Sequence, residues 1–331
     1  MFSFLTPFGF RLVAALSLSF ILSLWGGKIC IKIFKKLNFV DYVREDTPSL
    51  HSRKRGIPSA GGIFIIFSSL ISLLFFVNFA HRWISLLLIV SLYLGILGFL
   101  DDWIKFSRRN SRGLRVKYKL GFQSIFSFFI ALYLYLSPEF TSELLVPFAK
   151  IKLDINWGYI PLIMAVIVGT SNSINLTDGL DGLAAGCILP VMSVYAVLAY
   201  FMHIPEGREL CIFLVIWIGA ILGFLWYNRH PARIFMGEVG AGSLGGTLAI
   251  SSILMKKELL LIIVGGVFVI EALSVFLQVA SFKLRGKRIL KMSPLHHHYE
   301  LRGMKEPEIV TRFWIVSTLL ALTGLIIGLS G

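Results

Sequence analysis

Charge is what this sequence has least of: only 15% of its 331 residues are Asp, Glu, Lys or Arg, against roughly a quarter in ordinary soluble domains. That shortage excludes a chain solvated by water on every side. Polar stretches of domain size are also missing. The length would allow about two soluble domains, yet apolar segments run from one end to the other, so the expectation is one membrane domain over 1–331. Cysteine is scarce too. Cys30, Cys187 and Cys211 are odd in number, far apart and set in or beside apolar runs, which excludes a disulfide framework and a metal-ligand spacing. A cleavable leader is not expected, because the first apolar run follows one arginine, lacks a small-residue cleavage site and leads into more apolar sequence.

What is present is hydrocarbon: 56% of the residues are hydrophobic and the mean hydropathy is +0.80. Stretches able to cross about 30 Å of lipid as helices fall at 10–29, 60–79, 83–100, 121–137, 157–175, 182–202, 209–227, 239–255, 258–282 and 311–330. The expected fold is an all-α integral membrane protein of about ten transmembrane helices. An even number puts both termini on one side. In or at the borders of the first, third, seventh and ninth connections lie 25 of the 32 lysines and arginines, and such residues are retained in the cytoplasm. The termini are therefore expected in the periplasm. The net charge of +14 is assigned to topology and to anionic lipid headgroups of the bilayer, with no nucleic acid among the expected partners. Of the 18 acidic residues, 12 fall on the same cytoplasmic side, which neither topology nor lipid attraction explains.

Those acids occur in distinct constellations. GFLDDWIK places Asp101 and Asp102 directly after an apolar helix, with Lys105 three and four residues on, a spacing that meets on one helix face. A solvated helix end with an ion pair accounts for this; so does a carboxylate pair that binds a divalent cation or supplies a base. In SNSINLTDGLDGLAAG, Asn172, Asn175, Asp178 and Asp181 recur every three residues between two apolar spans. On a continuous helix that stripe drifts by about 60° per step, so convergence on one ligand needs a break. Gly179 and Gly182 allow one, and Asp178 is expected to cap the helix that follows, whose free amides attract an anion. A metal-phosphate site uses all of these features.

WYNRHPARIFMGEVGAGSLGG joins Asn228, two arginines and Glu238 to a glycine-rich helix entry, suited either to a nucleotide or to close helix packing. In SPLHHHYEL, Ser293 and Pro294 suit the N-cap and first helical positions. Consecutive helical residues fan out by about 100°, so His296, His297 and His298 do not chelate one metal there; imidazoles at a helix N-terminus instead donate to phosphate. Glu271 lies inside an apolar run, where an ionised group calls for a partner such as Lys or Arg, and Gln278 follows further along the same run.

VREDTPSLHSRKRGIPSAGGIFI, GFLDDWIKFSRRNSRGLRVKYKLGFQ, NLTDGLDGLAAG and SPLHHHYEL, in that order, resemble the phospho-N-acetylmuramoyl-pentapeptide transferase family, within the wider polyprenyl-phosphate N-acetylhexosamine-1-phosphate transferases. The resemblance spans essentially the whole chain. It implies a ten-span enzyme of the bacterial cytoplasmic (inner) membrane, with its active-site cleft on the cytoplasmic face. Such an enzyme moves phospho-MurNAc-pentapeptide from UDP-MurNAc-pentapeptide to undecaprenyl phosphate, giving lipid I and UMP with Mg2+. Carried over residue by residue, it makes Asp101 and Asp102 the paired acids near the lipid phosphate, Asp101 the base, and Asp178 part of the catalytic centre. Asn172, Asn175 and Asp181 would shape the nucleotide side. Lys54, Ser59, Lys105, Lys117 and Lys119 would donate to phosphates, and Asn228, Phe235 and Gly237 would meet the uridine. His297, flanked by His296 and His298, would contact the diphosphate, with Gln278 beside the same cleft. Glu238 and Asp178 would be the metal ligands.

Two positions depart from the family pattern: Glu238 stands where Asp is expected, and Ala241 where Ser is usual. Magnesium tolerates little beyond octahedral oxygens at about 2.0–2.1 Å, so the extra methylene of Glu238 must be absorbed by backbone or water. Rival readings are a related transferase using UDP-GlcNAc or another UDP-sugar, a transporter with broken helices, and a lipid-binding scaffold. Polar residues gathered on one face disfavour the transporter, and acid clusters disfavour the scaffold. The oligomeric state, including a homo-oligomer, is left open.

Overall fold

In hydrocarbon a backbone has no water to bond, so long apolar runs satisfy their N–H and C=O groups internally, as helices. A computed structural model of the chain describes residues 7–40, 56–149 and 151–330. Its helices are α1 (Phe8–Leu37), α2 (Gly62–Phe76), α3 (Arg82–Arg108), α4 (Val116–Leu136), α5 (Tyr159–Thr177), α6 (Leu183–Tyr200), α7 (Pro205–Asn228), α8 (Gly237–Leu254), α9 (Leu261–Val264), α10 (Gly266–Arg285), α11 (Leu295–Glu300) and α12 (Glu306–Ser330). Among the described residues, eight segments are long and apolar enough to cross a membrane: α1, α3, α4, Asn156–Thr177, α6, Glu206–Asn228, α10 and α12. The 15-residue α2 is shorter.

Two features differ from the sequence expectation. The run 258–282 does not form one helix: it divides at Gly265 and Gly266 into α9 and α10, because neighbouring glycines weaken a helix where they stand. The connection between α4 and α5 carries an antiparallel hairpin of β1 (Glu143–Val146) and β2 (Ile151–Asp154), with Glu143 opposite Asp154 and Val146 opposite Ile151.

The centre of the bundle is α8. Every residue from Val239 to Leu254 is buried, chiefly against α3 and α5, with α2 and α6 completing the sheath. Its sequence explains this. Gly240, Gly242, Ser243, Gly245 and Gly246 leave almost no side-chain relief, so neighbouring backbones approach closely, as small residues allow in membrane helix pairs. The Ser91 and Thr247 hydroxyls share a 2.7 Å hydrogen bond between α3 and α8. A second group packs around α7, which contacts α1, α6 and α2. There Ser23 Oγ donates to the carbonyl of Ala220 at 2.7 Å. Buried Arg11 reaches Glu209 at 2.8 Å and the carbonyl of Phe76 at 2.6 Å. Large apolar side chains such as Trp25, Leu74, Phe129, Phe276 and Ile326 are exposed on the outside, the pattern of a surface solvated by lipid.

The α3–α8 contact is closest at Gly98, where an added Cβ would collide with the backbone carbonyl of Glu238. Gly98→Ala should destabilise the protein by about 1–3 kcal/mol, as overpacking does. Gly121→Ala, which meets nothing within 4 Å, should leave stability unchanged or raised. Thermal unfolding in detergent compares them, and equal midpoints would remove Gly98 from the packing account.

Candidate active site

The close approach at Gly98 carries the first turn of α8 onto the last turns of α3. Asp102 lies one helical turn beyond Gly98, and its Oδ2 accepts the backbone N–H of Val239 at 3.1 Å. Gly237 turns the chain into α8 with φ +73°, and a Cβ there would lie 2.6 Å from Asp102 Oδ2 and 2.8 Å from the nitrogen of Ala60. Only glycine combines that backbone angle with so little room. Lys105 Nζ stands among three carboxylates, 2.7 Å from Asp101 Oδ2, 3.1 Å from Glu238 Oε1 and 3.7 Å from Asp102 Oδ1. The other oxygen of Glu238 meets Lys119 at the start of α4. Asp101 Oδ1 accepts the N–H of Leu114 at 2.7 Å. Asp101 and Asp102 are buried, so mutual repulsion among three carboxylates is felt more strongly than in water, and the two lysines offset it.

Beside this cluster α5 ends. The glycine-rich break lies where the sequence put it, but Asp178 does not cap the following helix. It stands at the C-cap of α5, and Gly182, with φ +78°, is the N-cap of α6; the turn is completed only where a left-handed residue is available. Asn172 Nδ2 donates to Gln123 Oε1 and to the carbonyl of Val168, both at 2.8 Å. Asn175 lines a narrow cleft with Lys119, Gln123 and Glu238. Asp181 Oδ2 accepts the N–H of Ala232 at 3.0 Å and lies 3.2 Å from His230 Nδ1. Asn228 is buried, accepting from the N–H of Gly182 at 3.1 Å and donating to the carbonyl of Ile234 at 2.9 Å. Its side chain therefore ties the α5–α6 loop to the α7–α8 loop. Phe235 bridges backbone to the segment before α2, donating to the carbonyl of Pro58 and accepting from Gly61, each at 2.8 Å. Ser59 is buried in that segment. Lys117 is exposed, over the Tyr118 ring, outside the carboxylate cluster, and Lys54 lies outside the described residues.

The histidines occupy α11, which begins at Leu295 with Pro294 at the N-cap, one position later than the expected Ser293 cap. Glu271 supplies the anchor. It is fully buried and, among the described residues, pairs with no Lys or Arg: its carboxylate accepts the N–H groups of Leu295 (2.8 Å) and His296 (3.2 Å) and lies 3.2 Å from His296 Nδ1. The opposite edge of the His296 ring fills the space beside Gly179, where a Cβ would strike Nε2. His297 Nδ1 is 2.6 Å from Glu300. His298 accepts the N–H of Lys291 at 3.0 Å through Nδ1; partial burial, then the charges of Arg302 and Lys291, hold its pKa below the ordinary value. Gln278 accepts from Ile289 and Leu290 at 2.9 Å and donates back to Leu290 at 3.0 Å, so its amide fixes the chain entering α11.

Reasoning from sequence missed Gln123, His230, Glu300 and Glu306. Only Glu300 carried a signal, its i,i+3 spacing from His297; the others are single residues whose partners are distant in sequence. Chemically, buried carboxylates paired with ammonium groups, a loop between helices and an imidazole-bearing helix suit the handling of phosphates.

Residues 83–256 match the model for glycosyl transferase family 4. A phospho-N-acetylmuramoyl-pentapeptide-transferase of Thermodesulfovibrio yellowstonii is 43% identical over 333 residues, covering 96% of this chain and 92% of its own. Another of that description, from Desulfotalea psychrophila, is 44% identical over 326 residues, covering 94% and 91%.

The anchoring of α11 is testable on its own. Glu271→Ala removes the acceptor of two amides and leaves a buried imidazole beside a cavity. Hydrogen exchange at Leu295 and His296 should accelerate by about tenfold or more, corresponding to charge-assisted hydrogen bonds of roughly 1.5–3 kcal/mol. Unaltered exchange at these amides would contradict the anchor.

Proposed function

Since the chain belongs to the phospho-N-acetylmuramoyl-pentapeptide transferases of glycosyl transferase family 4, we propose that it transfers phospho-MurNAc-pentapeptide from UDP-MurNAc-pentapeptide to undecaprenyl phosphate. The products are lipid I and UMP, in the first membrane step of peptidoglycan synthesis. The observation that carries this reading to particular residues is the meeting of Asp101, Asp102, Lys105, Lys119 and Glu238 at one end of the bundle. One transferase domain over 1–331, with ten spans that include α2 and α8, completes the proposal. The lysine and arginine asymmetry supports periplasmic termini and a cleft open to the cytoplasm of a bacterial inner membrane. A soluble nucleotide and a lipid phosphate can meet there.

In the proposed reaction an oxygen of the lipid phosphate attacks the sugar-linked phosphorus of the UDP-sugar. The bond from that phosphorus to the bridging oxygen breaks, and the electron pair leaves with UMP. Direct attack is favoured over an aspartyl intermediate because the lipid phosphate is already an anionic nucleophile held at the membrane surface. Asp101 accepts a proton from a monoprotonated lipid phosphate, and Asp102 holds the α3–α8 junction through Val239. Lys105 and Lys119 now neutralise protein carboxylates, and an incoming diphosphate offers them stronger anionic partners. Asn175 and Asp181 lie toward the nucleotide, and His297 toward the diphosphate, with His296 and His298 setting the position of its helix.

Magnesium is proposed at Glu238 with Asp178. The donor chemistry fits, since carboxylate oxygens are of the hard class that magnesium takes and Glu238 already lies between two cations. Bound there, magnesium would neutralise charge developing on the diphosphate.

Purified protein given both substrates should release UMP with magnesium and stop when EDTA removes it. Glu238→Gln should abolish turnover even at saturating magnesium; unchanged turnover would sink its assignment as a ligand. Asp101→Asn should lower kcat by about 10²–10⁴-fold, the usual contribution of a general base. A variant with the parent's rate and pH dependence would rule out the base role.

A further inference from the structure

A second cation site emerges at the junction of three segments that the sequence keeps apart. Asp181 lies in the α5–α6 loop, His230 in the α7–α8 loop and Glu306 at the first residue of α12. Their ligand atoms all lie within 4.8 Å of one another, the one such trio of His, Cys, Asp or Glu among the described residues. His230 Nδ1 is 3.2 Å from Asp181 Oδ2 and 3.9 Å from Glu306 Oε2. We propose that Asp181, His230 and Glu306 bind a divalent transition cation of the zinc class, fastening the start of α12 to the two loops.

Spacing favours this reading. A tetrahedral ion with bonds of about 2.1 Å sets neighbouring donors about 3.4 Å apart, so the two separations from His230 Nδ1, 3.2 and 3.9 Å, close around such an ion with small adjustments. Backbone orients both carboxylates: Asp181 Oδ2, the oxygen that faces His230, also accepts the N–H of Ala232 at 3.0 Å, and Glu306 accepts the N–H of Asp181 through its other oxygen, Oε1, at 2.7 Å. Such outer partners fix metal ligands in place. Asp181 is 3% exposed and Glu306 14%, whereas His230 is 44% exposed, which leaves an entry path and a side for a fourth ligand, water. An imidazole nitrogen with two carboxylates selects zinc, cobalt or nickel over magnesium, so this site is separate in kind from the magnesium proposed at Glu238. It stands whether or not the transferase reading does.

The competing account is a protonated His230 bridging two carboxylates with no metal. Zinc titration of the purified full-length protein in detergent, against a chromophoric chelator, separates the two. One zinc equivalent should bind, unaffected by millimolar magnesium. His230→Ala and Glu306→Gln should each weaken it by at least about tenfold, the lower bound for disturbing even an outer partner. X-ray absorption on the zinc-loaded parent should show one imidazole among oxygen ligands, a measurement that stands even if a variant does not fold. Failure to bind a stoichiometric zinc overturns the proposal and leaves the histidine bridge. Two or more imidazoles, or affinity unaltered in both folded variants, also overturns it, by placing the metal elsewhere.

Discussion

Three carboxylates cannot share a buried corner unless cations share it with them, and this electrostatic requirement fixes one end of the bundle. Asp101 and Asp102 arrive on α3 and Glu238 on α8; Lys105 comes from α3 itself and Lys119 from α4. The ion pairs therefore act as a joint among three helices. Removing one partner leaves uncompensated charge out of water, the costly half of any buried pair.

The joint is possible only because α8 carries so little side chain. Gly98 on one helix and Gly237 at the start of the other remove the atoms that would hold the backbones apart. At the opposite end a different device does the corresponding work. Arg11 and Glu209 form a buried ion pair, and Glu209 also accepts the N–H of Asn78 at 2.9 Å. That pair secures α1, α2 and α7 where the candidate site is not.

Much of this was legible in the sequence, for identifiable reasons. Long apolar runs mark helices because lipid permits little else, and the eight segments that meet the length and composition of a span all coincide with expected ones. The break after Asp178 was visible because Gly179 and Gly182 permit it. What sequence hid was direction. Asn228 and Gln278 read as polar groups near a ligand, and nothing in the sequence shows that their amides also engage the protein's own backbone. Glu271 demanded a partner, but the partner is the start of α11, and nothing local in the sequence distinguishes a backbone amide from a lysine. The pairing of Lys119 with Glu238 spans 119 residues and has no periodicity to announce it.

The interior position of α8 also bears on how the protein is made. Its 18 residues are too polar, with their glycines, serines and Glu238, to count among the segments apolar enough to span on their own. Yet α2, α3, α5 and α6, the helices that enclose it, are all earlier in the chain. During synthesis α8 therefore emerges after its surroundings exist, and can exchange the translocation channel for protein without first being dissolved in lipid. Chain order thus supplies what hydrophobicity does not: a solvent for the least lipid-soluble helix, already in place when that helix is released.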